Sequence, residues 1–316
     1  MGYPNLAILI PTHNRPQSLR QTLNGLVSDS QEFKVYVIDS SSPEVLHRNA
    51  ENLQSLSIDV KHLSHSSPDL YQKLARGYLA ANSDGLKYSL NLGDHDAVNV
   101  KALSAVRQHL NDLPQGAVCM VESTPVRPPI TEKDVLRRTA SALVGPSWPF
   151  WALRETSQGV STFRDIAELD TGPWLQERLV RICDAIAGEL HQAEHPFLVR
   201  NGTAKRVDEF GHSTRNYHAT ARPGEEKLRN RNAYLTYITK RLERADSCMS
   251  TLEQSIWIAD FVRYEARIIG IRRVLENYRD ARNPLSIAVF KACARMYRVH
   301  TNQASQVLQR RVVISP

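Results

Sequence analysis

Leu6-Ala7-Ile8-Leu9-Ile10-Pro11-Thr12-His13-Asn14-Arg15-Pro16 is the stretch that decides the fold. Five apolar residues in succession leave no polar face, so a strand made from them is covered on both sides. Pro11 closes the run, a polar turn follows, and Pro16 stands where a helix starts. Leu19, Leu23 and Leu26 continue at helical spacing. A buried strand that feeds a helix is the building unit of a parallel α/β sheet.

The same alternation returns downstream. Val35 to Ile38 reads as a second strand, ending in Asp39-Ser40-Ser41-Ser42. Another apolar stretch runs from Ile58 to Leu63. Leu70 to Asn82 reads as a helix with Leu74, Tyr78 and Ala81 on one side. Tyr88 to Leu92 is a strand closed by Gly93-Asp94-His95-Asp96. A helix over Val100 to Leu110 and a strand over Ala117 to Val121 complete the pattern. The expected fold class is α/β, a mostly parallel Rossmann-like sheet with helices on both faces. Ligands of such sheets bind beyond the carboxyl ends of the strands. Thr12 to Arg15, Asp39 and the Asp94/Asp96 pair all fall there, so three separate stretches converge on one edge.

The rest of the chain is less regular. Pro125, Pro128, Pro129, Pro146 and Pro149 interrupt residues 123–172. Trp148, Phe150 and Trp151 suit either stacking on a sugar face or an ordinary core. Pro173 opens a helix predicted over Trp174 to His191, and Pro196 to Arg200 reads as a short closing strand. Gly224 marks a boundary, beyond which 225–245, 250–281 and 284–299 read as helices.

The chain has 316 residues, 41% hydrophobic and 23% charged, which excludes disordered and fibrous classes. Its net charge of +7 is unevenly placed. Residues 221–316 carry 18 Lys/Arg against 9 Asp/Glu, whereas the first 220 carry 22 against 24. The basic surplus therefore belongs to the helical C-terminal region. It suits an anionic membrane surface, an anionic glycan or another subunit better than nucleic acid, for which no zinc-finger, RNP or helix-turn-helix signature is present. Cys119, Cys183, Cys248 and Cys293 lie too far apart for a zinc motif or a disulfide framework. With no leader-like N-terminus and no apolar run of about 18–20 residues, a cytoplasmic protein is expected, peripheral to a membrane at most.

Asp94-His95-Asp96 carries the sharpest chemistry. Two carboxylates at a strand end suit Mg2+ or Mn2+ shared with phosphate oxygens. The triplet alone reads equally as a polar turn or as an N-cap by Asp96. Its context decides. Ile8-Leu-Ile-Pro-Thr-His-Asn-Arg-Pro16, Val37-Ile-Asp-Ser-Ser-Ser42, Lys73-Leu-Ala-Arg76 and Leu92-Gly-Asp-His-Asp96, in that order, resemble the family 2 glycosyltransferases of GT-A fold. The resemblance covers residues 4–205, is best up to residue 100, and extends to a branch with a helical C-terminal extension.

The resemblance implies a GT-A domain over 1–223, with a nucleotide-sugar half at 1–122 and an acceptor half at 123–223, and a basic helical extension over 224–316. It implies transfer of a sugar from a nucleotide-diphosphate donor, UDP-linked, to a hydroxyl of a glycan or lipid-linked acceptor, with inversion. Pro11, Thr12, Asn14, Arg15, Asp39, Arg76 and Asp94 would hold the donor, and Asp94 and Asp96 the metal. His212 is the candidate third ligand, with His218 its rival, and Arg215 and Arg222 stand near for a diphosphate. The chain departs from the family pattern at His95, at Asp39-Ser40, and in lacking the later Glu-Asp pair. Glu177 falls where that pair would lie and is the expected catalytic base, with Asp170 and Glu168 as rivals. A sugar-phosphate nucleotidyltransferase and a non-catalytic module docking through its basic helices are the alternative functions.

Overall fold

The computed structural model describes residues 5–29, 32–120, 129–131, 151–169, 173–193 and 196–199, with isolated positions at 133, 135, 138, 139, 142, 233, 237, 238, 240 and 241. Nine strands and six α-helices have defined bounds among them. In chain order they are β1 (Leu6–Thr12), α1 (Pro16–Asn24), β2 (Lys34–Asp39), α2 (Pro43–Gln54), β3 (Val60–Ser64), α3 (Leu70–Ser83), β4 (Tyr88–Asn91), β5 (Ala97–Val98), α4 (Val100–Asn111), β6 (Val118–Met120), β7 (Leu153–Glu155), α5 (Thr156–Ala167), α6 (Pro173–Ala187), β8 (Leu190–Gln192) and β9 (Leu198–Val199).

Seven strands form one sheet in the order β3-β2-β1-β4-β7-β6-β8. β1, β2, β3 and β4 run parallel, and the unbroken apolar run of β1 suits its place inside the sheet. All seven residues of β1 are buried. Alternate side chains serve opposite faces. Leu6, Ile8, Ile10, Val35 and Val37 pack with Leu19 and Leu23 of α1, Leu53 of α2 and Leu103 of α4. Ala7, Leu9, Tyr36 and Ile38 pack with Leu74 and Tyr78 of α3, Phe163 of α5 and Leu179 and Ile182 of α6. Helices thus cover both faces, which is the GT-A architecture the resemblance implied.

Several elements differ from their reading in sequence. β1 runs through Pro11 to Thr12 rather than stopping at Ile10. Pairing with β4 ends at Leu9, so the missing Pro11 donor costs no bond on that side. α2 is an additional helix. Pro43 at its N1 position follows Ser42, but only Val45, Asn49 and Leu53 are buried, so its apolar stripe is thin. α5 and β7 arise inside the stretch read as irregular, and β7 is antiparallel to both its neighbours. The helix predicted to His191 ends at Ala187. There Gly188 meets Gly116 so closely that a Cβ on Gly188 would lie 2.3 Å from the Gly116 backbone, and the chain turns into β8.

The closing strand is confirmed as β9, pairing with β5 in a separate two-stranded ladder. Arg154 of β7 is fully buried, with Nη1 donating to the Tyr78 hydroxyl at 2.7 Å and Nη2 to Asp184 at 3.2 Å. Gln158 donates to the other Asp184 oxygen at 3.1 Å. The network joins α3, β7, α5 and α6, and satisfies an ion pair that burial would otherwise make costly.

Of the C-terminal region, Ile238 is fully buried in the cluster with Tyr78, Phe163 and Leu179. The Tyr237 hydroxyl donates to Asp165 of α5 at 3.2 Å, and Arg241 pairs with the same carboxylate at 3.1 Å. The other predicted C-terminal helices lie outside the described residues. No helix among the described residues is long and apolar enough to cross a membrane.

Candidate active site

The strand order sets the location. β2 lies on one side of β1 and β4 on the other, so the chain reverses its winding between β1 and β4. The crevice at that switch point is where such sheets take ligands. Register places Thr12 opposite Asp39, and Asp39 opposite Ser64, at the carboxyl ends of the first three strands. Across the switch point the Thr12 hydroxyl donates to Asp94 Oδ2 at 2.8 Å.

Asp94 is buried and gathers further donors. Arg15 Nη1 lies 3.2 Å and His95 Nδ1 3.1 Å from its Oδ1. Burial pushes the Asp94 carboxyl up, but the His95 hydrogen bond, the Arg15 charge and the Thr12 hydroxyl outweigh it and hold it below the usual range. His95 is pushed up in turn, first by its bond to Asp94 and further by Asp96, whose Oδ1 is 3.6 Å from Nε2. The imidazole thus lies between the two carboxylates, which explains how His95 fits a position where the family pattern is acidic.

Asp96 is not the cap of the following helix. Asn99 fills that place, accepting from the Ala102 amide at 3.2 Å. Instead the Asp96 backbone carbonyl accepts from Thr22 of α1 at 3.2 Å, and its carboxylate folds over Gly93, where a Cβ would stand 2.6 Å from Oδ2. The β5–β9 ladder secures the exit of the turn, with the Asn99 amide donating to the Phe197 carbonyl at 2.8 Å.

Asp39 is wholly buried at the end of β2. The Ser41 amide caps Oδ1 at 2.9 Å, and Asn49 at 2.8 Å and His62 at 3.1 Å donate to Oδ2. Burial raises this carboxyl too, yet the bonds from His62, Ser41 and Asn49 prevail and leave it lowered. Asp39 is thus both the turn cap and an ionised acceptor with lone pairs remaining.

The serine run joins the two strand-end turns. Ser40 donates from Oγ to the Thr12 carbonyl at 3.3 Å. The Asn14 amide donates to Ser41 Oγ at 2.8 Å, and the Ser42 amide to Asn14 Oδ1 at 3.0 Å. His13 Nδ1 sits 2.8 Å from the Ser40 carbonyl. A carbonyl only accepts, so that nitrogen carries the proton. Asn14 has a φ of 51°, the left-handed region that asparagine tolerates, and its two bonds to the serines hold it there. Ser40–Ser42 replace the acidic second residue of the family pattern with a latch between turns.

In sequence Lys73 stands only as part of a motif. Here it is buried, with its ammonium under the junction of the two turns. Arg76, expected at the donor, is exposed on the same helix. Helical spacing could have separated them, since Lys73 shares a face with Gly77 and Tyr78 whereas Arg76 lies off it. Trp151 packs against the apolar clusters on both faces of the sheet, so the core reading applies to it.

Glu177 lies on α6, with its side chain outside the described residues. Glu168 is the exposed C-cap of α5. Asp170, His212, His218, Arg215, Arg222, Trp148 and Phe150 also lie outside the described residues.

Asp94 and Asp96 fit a divalent cation by donor chemistry. Both are hard oxygen donors on one tight turn, and among the described residues no third His, Cys, Asp or Glu completes a cage. That donor set matches an ion that draws its other ligands from phosphate oxygens and water.

No curated protein matches the chain. Among solved structures, S. aureus TarS residues 1–349 superpose with a TM-score of 0.49 at 14% identity, covering 93% of this chain and 91% of that one. The same protein in complex with UDP gives 0.48 at 14% identity over the same shares. A longer TarS structure gives 0.45 at 16% identity, covering 91% of this chain and 55% of that one. Residues 7–139 match the family model described as glycosyl transferase family 2. That segment contains Thr12, Asp39, Lys73, Asp94 and Asp96, so the strand-end residues of the crevice lie in the part of the chain that is similar to family 2 glycosyltransferases.

Proposed function

We propose that this protein transfers a sugar, with inversion, from a UDP-linked donor to a hydroxyl of a glycan or lipid-linked acceptor, with Mn2+ or Mg2+ at Asp94 and Asp96. The observation that carries the reading is the bond between Thr12 and Asp94 across the switch point, in register with Asp39. It supports a reading in which Asp39 meets the nucleoside and the Asp94/Asp96 pair meets the phosphates along one crevice.

Each residue has a defined task. Ionised Asp39 accepts an N–H of the base or a ribose hydroxyl. The Pro11-Thr12 turn and Asn14 shape the floor beneath the nucleoside. Arg15 stands beside Asp94 and offers its guanidinium to the diphosphate. When bound, the metal would neutralise charge on the departing diphosphate. Glu177 would take the proton of the attacking hydroxyl, with Asp170 the alternative base. His212 would complete the metal site. The basic C-terminal region would meet an anionic membrane surface, the acceptor or a second subunit.

A thermal-shift panel of sugar nucleotides, with and without Mn2+, tests the reading. A ligand at a hundred times its Kd stabilises the folded state by about 2.7 kcal/mol. UDP-sugars should raise Tm, and more so with Mn2+. If no nucleoside diphosphate shifts Tm, the proposal fails. Pyrophosphate released from a nucleoside triphosphate and a sugar phosphate would identify a nucleotidyltransferase instead.

A further inference from the structure

Lys73 is an expensive residue for its position. Only 5% of it is exposed, and burying an ammonium costs several kcal/mol unless it is well paired. Its nitrogen makes no short ion pair. It donates to the Thr12 carbonyl at 3.0 Å and to Ser40 Oγ at 3.2 Å. Ser40 passes the chain on by donating to the same carbonyl at 3.3 Å. Around the ammonium stand Asp94, Asp39 and Asp69, which favour its charge, and Arg15, which opposes it. His65 faces the same space. A methionine of similar length would fill the volume without the desolvation cost. A buried charge kept where an apolar side chain would serve the fold points to a requirement of the site.

We propose that Lys73 is a positioning residue for the donor nucleotide: its ammonium pins the β1 turn to the β2 turn, and so holds Thr12, Asp39 and Asp94 facing one ligand. The inference rests on the transferase reading above. Thr12 is the hinge of the argument, because its carbonyl is held by Lys73 while its hydroxyl orients Asp94. Loss of the ammonium would free the carbonyl and let the Thr12–Asp94 bond drift. The positive charge also sits beneath a crevice that receives a diphosphate beside two carboxylates, and lowers the repulsion between them.

The test compares wild type, Lys73→Met and Lys73→Arg by UDP-sugar Kd and by Tm. Lys73→Met should weaken Kd about tenfold or more while Tm stays level or rises, because the buried charge is gone. Lys73→Arg should recover most of the affinity. A purely structural lysine would instead lose Tm on going to Met. If Lys73→Arg does not fold, Ser40→Ala takes its place. It should weaken Kd, and the double variant with Lys73→Met should be no weaker than Lys73→Met alone. Unchanged affinity in Lys73→Met, a fall in Tm with the fall in affinity, or additive losses would overturn the proposal. If wild type itself binds no nucleoside diphosphate sugar, the transferase reading fails and not merely the role of Lys73.

Discussion

At the residue scale, charge placement governs the site. Three buried carboxylates, Asp39, Asp94 and Asp96, stand within reach of Arg15, His62, Lys73 and His95. Directed hydrogen bonds hold Asp39 and Asp94 below the usual carboxylate range despite their burial. If Asp94 and Asp96 share a metal with the diphosphate, changing both to Ala should lower kcat/KM about a hundredfold or more, since several kcal/mol of charge stabilisation would go. Retained turnover in the double variant would refute the metal role.

Lys73 gives a second prediction, this time for stability. Burial lowers its pKa from 10.5 to about 8, against the pull of Asp94 and Asp39. Below pH 8 the lysine is protonated in both folded and unfolded chains, so the native state bears the whole cost of the buried charge. Between about 8 and 10.5 the unfolded chain binds more protons, and native stability therefore rises with pH. Urea unfolding should show Lys73→Met ahead of wild type by a few kcal/mol at pH 7, a gap that narrows by pH 10. Parallel pH profiles would contradict this.

At the scale of elements, the α3–α5 contact supports the floor of the site. Gly159 of α5 lies against the Tyr78 ring of α3, so closely that a Cβ would fall 2.0 Å from a ring carbon. Phe163 stacks on the same ring at 4.8 Å, with 11° between planes. Gly159→Ala should destabilise by about 1–3 kcal/mol through overpacking, less the roughly 1 kcal/mol that alanine returns in helix propensity. A calorimetric Tm at or above wild type would show that the helices can part without cost. Because α3 carries Lys73, this variant should also weaken donor binding.

At the scale of the molecule, the described positions 237, 238 and 241 pack against the helices of the α/β sheet. Ile238, with no exposed surface, inserts between α3, α5 and α6, and Tyr237 and Arg241 clasp Asp165 beside it. Ile238→Ala should cost about 2–4 kcal/mol by leaving a cavity. For a chain of this length that lowers Tm by several degrees in a thermal melt. A change under about 0.5 kcal/mol would show that the contact is superficial.

Sequence alone determined what depends on local pattern. Apolar runs made β1 and β2 recognisable as buried strands, and Tyr88, Leu90 and Leu92 marked β4. Heptad-like spacing marked α1, α3 and α4, and strand-end polar clusters marked Asp39, Asp94 and Asp96. These features were legible because solvent exclusion and helical periodicity act on neighbouring residues. Tertiary structure decided whatever needed a partner distant in the chain. β7 contains Arg154, which reads as a surface charge until Asp184, 30 positions away, and Tyr78, 76 positions away, satisfy it. α2 shows only a thin stripe because it covers an edge of the sheet. His95 reads as an interruption until Asp94 and Asp96 fold around it. Lys73, an ordinary helix lysine in sequence, becomes a site residue only when Thr12 and Ser40, 61 and 33 positions away, present their oxygens to it. A hydrogen bond or an ion pair has meaning only once both ends are placed, and placing them is what the fold does.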